Sequence, residues 1–259
     1  MKSIISFDLD MTLLNPKTHK IPNSAMEAIN RLRKSYYIVI ATGRDMDNYF
    51  SRQFRDIIQA NSIIHSNGVK ITVGSEVIYE TYMPNSLVKA VLKFAERENL
   101  SVGATLGDYD YYTHTEQVIE RDSKIWGELK RQYNDPWKLL DKKIYTLAYV
   151  GEAKGAKKIE QEFPELKCPL CEDIKGADIV EKRNSKAKGL QFLCNYWETD
   201  IKNTYAFGDS MNDYEILKAA GTGIAMGNAV SELKEIADYV TTGIDDDGIL
   251  KACEHFHLI

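Results

Sequence analysis

Residues 3–7, Ser-Ile-Ile-Ser-Phe, form a short apolar run that stops at Asp8-Leu9-Asp10, two carboxylates separated by a single leucine. A run of this length ending in charge reads as a strand buried on both faces, the kind that a parallel sheet requires. The two acids then stand at the strand's C-terminal end. On a chain that stays extended, alternate side chains project the same way, so Asp8 and Asp10 would repel each other unless a cation or a chemical use offsets the repulsion. Taken alone, the pair is equally compatible with surface or turn acids.

The following segments place that strand in a β-α-β unit. Ala25, Ala28, Ile29 and Leu32 fall on one face of a helix with Ser24 as its cap, and residues 37–41 read as a second buried strand. Such a unit requires a parallel sheet. The second strand runs into Thr42-Gly43-Arg44, then into an amphipathic segment carrying Tyr49, Phe50, Phe54 and Ile57. Residues 62–65 are a third strand closing on Asn67-Gly68, a pair suited to positive φ. Residues 71–73 and 77–79, joined by Gly74-Ser75-Glu76, read as a hairpin.

From Pro84 the rhythm changes. Helices are expected over 84–98, 115–131 and 152–163, mixed with strands near 100–106, 109–114, 144–150, 166–172 and 178–181. Without strict β-α alternation this stretch suggests a separate α+β domain. After Arg183 the alternation returns, with helices at 186–197, 211–219, 231–237 and 248–255 and strands at 204–207 and 223–225. The expected fold is α/β: a doubly wound, mainly parallel Rossmann-like core of residues 1–82 and 183–259, interrupted by an inserted α+β domain of residues 83–182.

With 259 residues, 44% of them hydrophobic, the chain can build real cores. A net charge of −5 argues against a general nucleic-acid binder, which needs a basic surface. No stretch approaches the roughly 18 apolar residues of a membrane helix, and acids interrupt the N-terminal run too early for a signal peptide. A cytoplasmic chain with neither membrane nor nucleic-acid partner is expected. Cys168-Pro-Leu-Cys171 has metal or redox spacing, but no second pair accompanies it, so the cysteines read as structural.

A second acidic group, Gly208-Asp209-Ser210-Met211-Asn212-Asp213, again follows an apolar strand and opens a helix. Helix capping by Asp209 is the plainer reading. If it joins Asp8 and Asp10, however, the three acids make a hard, oxygen-rich pocket suited to magnesium. A metal beside a carboxylate suits phosphoryl transfer, where positioning and charge neutralisation dominate. Thr42 and the Gly43 amide can donate to phosphoryl oxygens. Lys186 can add positive charge, although its basic surroundings, residues 182–188, also read as a solvated stretch.

In their joint order these pieces resemble the haloacid dehalogenase superfamily, specifically the Cof-type phosphatases with the larger, type IIB cap inserted between the second and third motifs. The resemblance covers essentially the whole chain. It rests on DLDMT at residues 8–12, IVIATGR ending at Arg44, SNG at 66–68, NSKAKG at 184–189, GDSMND at 208–213, and the later run from Gly223 through Asn228. It implies a magnesium-dependent phosphatase in which Asp8 is nucleophile and metal ligand. Asp10 would be the general acid and base, with its backbone carbonyl on the metal. Thr42, Gly43 and Asn212 would bind phosphate, Lys186 would neutralise Asp8 and the phosphoryl charge, with Lys188 as the competing choice, and Asp209 would ligate magnesium. Asp213 would hold the metal's waters or Lys186. Met11 departs from the glycine that many members carry.

The inserted domain would select the substrate, with residues 108–114 (Asp-Tyr-Asp-Tyr-Tyr-Thr-His) and the region of Trp126 as candidates, although a structural use of those tyrosines is the simpler reading. The substrate would be a small phosphorylated metabolite, such as a sugar phosphate. Phosphomutase chemistry and a noncatalytic phosphometabolite-binding regulator remain alternatives on the same fold, and monomer and homodimer stay open.

Overall fold

The computed structural model describes residues 2–107, 109–126, 131–171 and 175–259, with the backbone alone for residues 49, 50, 125 and 126. The chain opens with β1 (Ile4–Phe7), α1 (Asn23–Leu32), β2 (Tyr37–Ala41), α2 (Tyr49–Ile58), β3 (Ser62–His65), β4 (Lys70–Val73) and β5 (Glu76–Glu80). It continues through α3 (Asn85–Arg97), β6 (Ser101–Leu106), β7 (Tyr109–Tyr112), α4 (Thr115–Trp126), β8 (Gln132–Asn134), β9 (Leu147–Val150), α5 (Ala153–Glu162), β10 (Leu166–Lys167), β11 (Leu170–Cys171) and β12 (Gly176–Glu181). It closes with α6 (Lys186–Tyr196), β13 (Thr204–Gly208), α7 (Tyr214–Ala219), β14 (Thr222–Ala225), α8 (Ser231–Ile236), β15 (Tyr239–Val240) and α9 (Gly248–His255).

Two compact units result. One comprises Met1–Met46, Ser51–Glu80 and Asn184–Ile259, the other Asp47–Phe50 and Thr81–Arg183. The first is built on a sheet of order β15-β14-β13-β1-β2-β3-β4-β5. Its strands run parallel from β15 to β3, and β4 and β5 turn back antiparallel. All four residues of β1, Ser6 included, are buried, as a central strand covered on both faces requires, and Phe7 stacks on Phe207 of β13 at 4.8 Å. Register then decides where the polar residues emerge. Phe7 lies level with Phe207 on one side and Ile40 on the other, so Asp8, Thr42 and Asp209 leave the sheet at the same edge. Because the chain's strand order departs in opposite directions on the two sides of β1, this edge is the sheet's topological switch point, the usual place for a ligand crevice.

Two sequence expectations fail locally. Ser24 does not cap α1: Pro22 occupies the cap, its carbonyl accepting from Met26 N–H at 3.1 Å, and Ser24 falls inside the helix. The proline's fixed φ starts the helix without a side-chain acceptor. The apolar face of α1 is as expected, with Ala25, Ala28, Ile29 and Leu32 buried. In α2, Ser51, Phe54 and Ile58 turn inward on one face, spaced three and four apart, while Ile57 is 53% exposed.

The second unit carries the sheet β10-β12-β9-β6-β7-β8, with β11 also paired to β12. Pairing is antiparallel except between β7 and β8. Val88 and Leu92 of α3, Ile159 of α5, and Val102, Tyr149 and Ile179 from the sheet share its core. The strand expected over 144–150 begins only at Leu147, and that expected over 166–172 splits into β10 and β11 around Cys168-Pro169, since proline offers no ladder donor. Tyr111 and Tyr112 are buried and Tyr109 is half-exposed, so this stretch contributes mainly to packing. Asp108, the Trp126 side chain and residues 127–130 of the expected helix lie outside the described residues. All four cysteines are free thiols, and burial pushes Cys168 up to about 12, which keeps it protonated. Among the described residues no helix is long and apolar enough to cross a membrane.

Candidate active site

The site grows from the ends of β1, β2 and β13 and from the first residue of α6. Asp8 follows β1 directly, is buried, and is fixed by its N–H donating to the Phe207 carbonyl at 3.0 Å. Lys186 opens α6, with Ser185 at the cap accepting from Lys188 N–H, and its side chain is fully buried. Gly189 explains how the helix comes close enough: a Cβ there would stand 2.6 Å from Ile64 Cγ2 of β3.

All three protons of the Lys186 ammonium are used within the site. Nζ donates to Asp8 Oδ1 at 2.6 Å, to Asp213 Oδ1 at 2.6 Å and to Asn212 Oδ1 at 3.1 Å. Lys186 is therefore the lysine that reaches Asp8, whereas Lys188 lines an outer cleft with Tyr214 and Lys218. Asp213 is held from its other oxygen, Oδ2, which accepts from Asp209 N–H at 3.0 Å and Ser210 N–H at 3.3 Å. The close tuck of Asp213 depends on Gly208, where a Cβ would meet the Asp213 side chain at 2.5 Å. Asp209 Oδ1 accepts from the Thr12 hydroxyl at 2.8 Å, so Thr12 joins the two acidic motifs, a role its place in the sequence did not disclose. Met11, in left-handed backbone at φ 64°, makes the turn between Asp10 and Thr12, and Asn228 Nδ2 donates to its carbonyl at 2.9 Å.

Asp8, Asp209 and Asp213 offer carboxylate oxygens that all lie within 4.8 Å of one another. Three buried acids face one buried cation. Burial is the main reason that Asp8 is lifted from 3.8 to about 7; Lys186 opposes the rise, while Asp213 and Asp10 add to it. Burial, then Asp8 and Asp213, likewise raise Asp209 well above the usual carboxylate range. Burial alone would lower Lys186, but Asp213 and Asp8 outweigh it and hold the ammonium charged. The excess of negative charge, with donors that are all hard oxygens, fits a magnesium ion and not a softer metal.

The Asp10 carboxylate stands apart from that cluster. Both of its oxygens are taken by Arg44, with Nε donating to Oδ2 at 2.8 Å and Nη2 to Oδ1 at 2.5 Å. Burial would lower Arg44, yet the Asp10 charge and hydrogen bond, with Asp8 behind them, raise it. Arg44 closes a recognised motif but was given no task from sequence; the fork across to Asp10 supplies one. Thr42, fully buried, accepts from Arg44 N–H at 3.1 Å through its hydroxyl oxygen, and Gly43 lies half-buried between them.

The profile of haloacid dehalogenase-like hydrolases matches residues 5–253, nearly the full chain. The chain belongs to this family. YkrA of Bacillus subtilis, a presumed phosphatase, is 31% identical over 267 residues, covering 99% of this chain and 98% of its own. The 5-amino-6-(5-phospho-D-ribitylamino)uracil phosphatase YitU of the same organism is 25% identical over 266 residues, covering 98% of this haloacid dehalogenase-like chain and 97% of its own. Among solved structures, the subclass IIB sugar phosphatase BT4131 superposes with a TM-score of 0.89 at 29% identity, with full coverage of both chains.

Proposed function

We propose that this hydrolase releases phosphate from a small phosphorylated metabolite of the sugar-phosphate kind, with magnesium, through a phospho-aspartate on Asp8. One observation carries the reading: a fully buried lysine clamped at 2.6 Å between Asp8 and Asp213, with Asp209 beside them. A buried cation so placed orients one carboxylate as a nucleophile and offsets the charge of an arriving phosphoryl group. Kinship to phosphatases over the full chain supports the same class.

Asp8, Asp209 and the Asp10 carbonyl would hold magnesium, with Asp213 behind them. Bound there, the ion would neutralise charge on the phosphoryl oxygens. Lys186 occupies Asp8 Oδ1, so Oδ2 is the oxygen presented for attack. In the first step Asp8 Oδ2 bonds to phosphorus, the bond from phosphorus to the leaving oxygen breaks, and Asp10 gives that oxygen its proton. In the second, Asp10 takes a proton from a water whose oxygen bonds to phosphorus; the bond to Asp8 breaks and phosphate leaves. Arg44 holds both Asp10 oxygens, so for the first step the guanidinium must release the one that carries the proton. Thr42 Oγ1 and the Gly43 and Asn212 side of the site would hold the phosphoryl oxygens.

The test is phosphate release from a panel of sugar phosphates and p-nitrophenyl phosphate, with magnesium and with chelator. Turnover should require magnesium and vanish in Asp8→Asn. Full activity in that variant would exclude the covalent route, and binding without turnover across the panel would favour a noncatalytic regulator.

A further inference from the structure

Resting on the phosphatase reading, we infer that His65 is a positioning residue, whose ring nitrogen sets the Thr42–Met46 loop and, through Arg44, the aim of Asp10. The loop that carries Thr42, Gly43 and Arg44 leaves the end of β2 and is tied down by the segment that ends β3. Thr42 N–H donates to the Ile64 carbonyl at 2.9 Å, Ser66 N–H to the Arg44 carbonyl at 3.0 Å, and Asn67 N–H to the Thr42 carbonyl at 2.9 Å. These ties are backbone to backbone, and any sequence with the same turn would make them.

The far end of the loop is held differently. Met46 N–H donates to His65 Nδ1 at 3.0 Å, a side-chain acceptor that is buried at 0% exposure. That bond requires Nδ1 without a proton, so the ring proton sits on Nε2 and donates to Thr72 Oγ1 of β4 at 3.1 Å. The Asp45 carboxylate stands 3.3 Å from Nδ1 and is engaged by Lys70 Nζ at 3.2 Å, which supplies the positive charge there without calling on the ring. The imidazole thus spans β4 and the loop as a neutral strut. It touches no reacting atom.

Its consequence falls on Arg44, two residues before Met46. The guanidinium reaches Asp10 only if the backbone between Thr42 and Met46 keeps its course, and misplacement of a proton donor by a fraction of an ångström lowers its contribution steeply. Loss of the strut should therefore act on proton donation to the leaving oxygen. The substrates hit hardest are those whose leaving oxygen needs that proton.

The experiment compares kcat/KM, which reports the chemistry up to phosphorylation of Asp8, on an alkyl (sugar) phosphate and on p-nitrophenyl phosphate, whose leaving group departs without protonation. Two variants separate the roles of the ring. His65→Asn keeps an acceptor where Nδ1 lies, and His65→Gln carries its polar end out towards Thr72 and leaves Met46 N–H without a partner. Both lose ring packing, so melting temperatures should fall alike. In His65→Gln the alkyl-to-aryl ratio of kcat/KM should drop about tenfold, a modest share of what a general acid supplies, and His65→Asn should stay near the wild-type ratio. An equal fall on both substrates in both variants, tracking the folded fraction, would overturn the positioning role. A wild-type chain inactive on both substrates would instead refute the phosphatase reading, and this inference with it.

Discussion

In magnesium-free buffer the folded chain should lose stability as pH rises towards neutrality, and Asp8 sets the size of the loss. Burial, with Asp213 and Asp10 against Lys186, lifts this carboxyl from 3.8 to about 7. Between those two values the folded chain holds a proton that the unfolded chain has released, so proton binding favours the fold; the contribution is largest towards acid and is gone above the folded value. Each pH unit in that window is worth about 1.4 kcal/mol. From about pH 5 to about pH 8 the loss comes to about 3 kcal/mol, or a fall in Tm of about 6–12 °C for a chain of this length. Asp8→Asn removes the titrating group while keeping its shape, so the difference between wild type and variant reads Asp8 together with its pull on Asp209 and Lys186. Urea unfolding followed by circular dichroism across that range, in chelator and in saturating magnesium, measures it. In chelator the wild type should lose about 3 kcal/mol more than the variant; in magnesium, which favours the ionised acids, the difference should close. Equal slopes in chelator would refute the claim that Asp8 sits among unbalanced buried charge, and an unchanged slope in magnesium would refute the assignment of the metal to this cluster.

Two further outcomes follow from named contacts. Arg44→Lys replaces a two-pronged hold on Asp10 by a single point charge, so kcat/KM on an alkyl phosphate should fall about 10- to 100-fold with little change in Tm; unaltered kinetics would show that Asp10 needs no such holder. Gly208→Ala puts a methyl group 2.5 Å from the Asp213 side chain, which must shift and take Lys186 with it; a cost of about 1–3 kcal/mol in stability and a loss of at least about tenfold in turnover are expected, read by thermal melting and phosphate release.

The strand-end acids were legible because β1, β2 and β13 are short, almost wholly apolar and buried, so the first polar residue after each marks the sheet edge. What the strand rule could not give was reach. Arg44 crosses 34 residues of sequence to Asp10, and Thr12 crosses 197 to Asp209; neither distance leaves a periodicity. His65 was hidden for a related reason, since in sequence it is only the last residue of a buried strand, and its use depends on a loop from another strand. Local errors had local causes: a proline took the cap offered to Ser24, and Pro169 divided a strand that propensity would have continued. The same rule explains why Lys186 was ambiguous against Lys188. It comes from a helix start and not a strand end, and only its hydrogen bonds to Asp8 and Asp213 show which lysine turns inward.

The chain's connectivity adds a last constraint. Apart from Asp47–Phe50, the second unit is the single stretch Thr81–Arg183, and every side chain in the acid and lysine cluster, Asp8, Lys186, Asp209 and Asp213, comes from outside both segments. The Arg44 hold on Asp10 and the His65 strut do as well. The cluster is thus fixed by one sheet and its own loops. On the proposed function, substitutions among residues 81–183 should alter which phosphate ester is preferred and leave the loss in Asp8→Asn intact; a preference that moves only with substitutions in the cluster would refute this division.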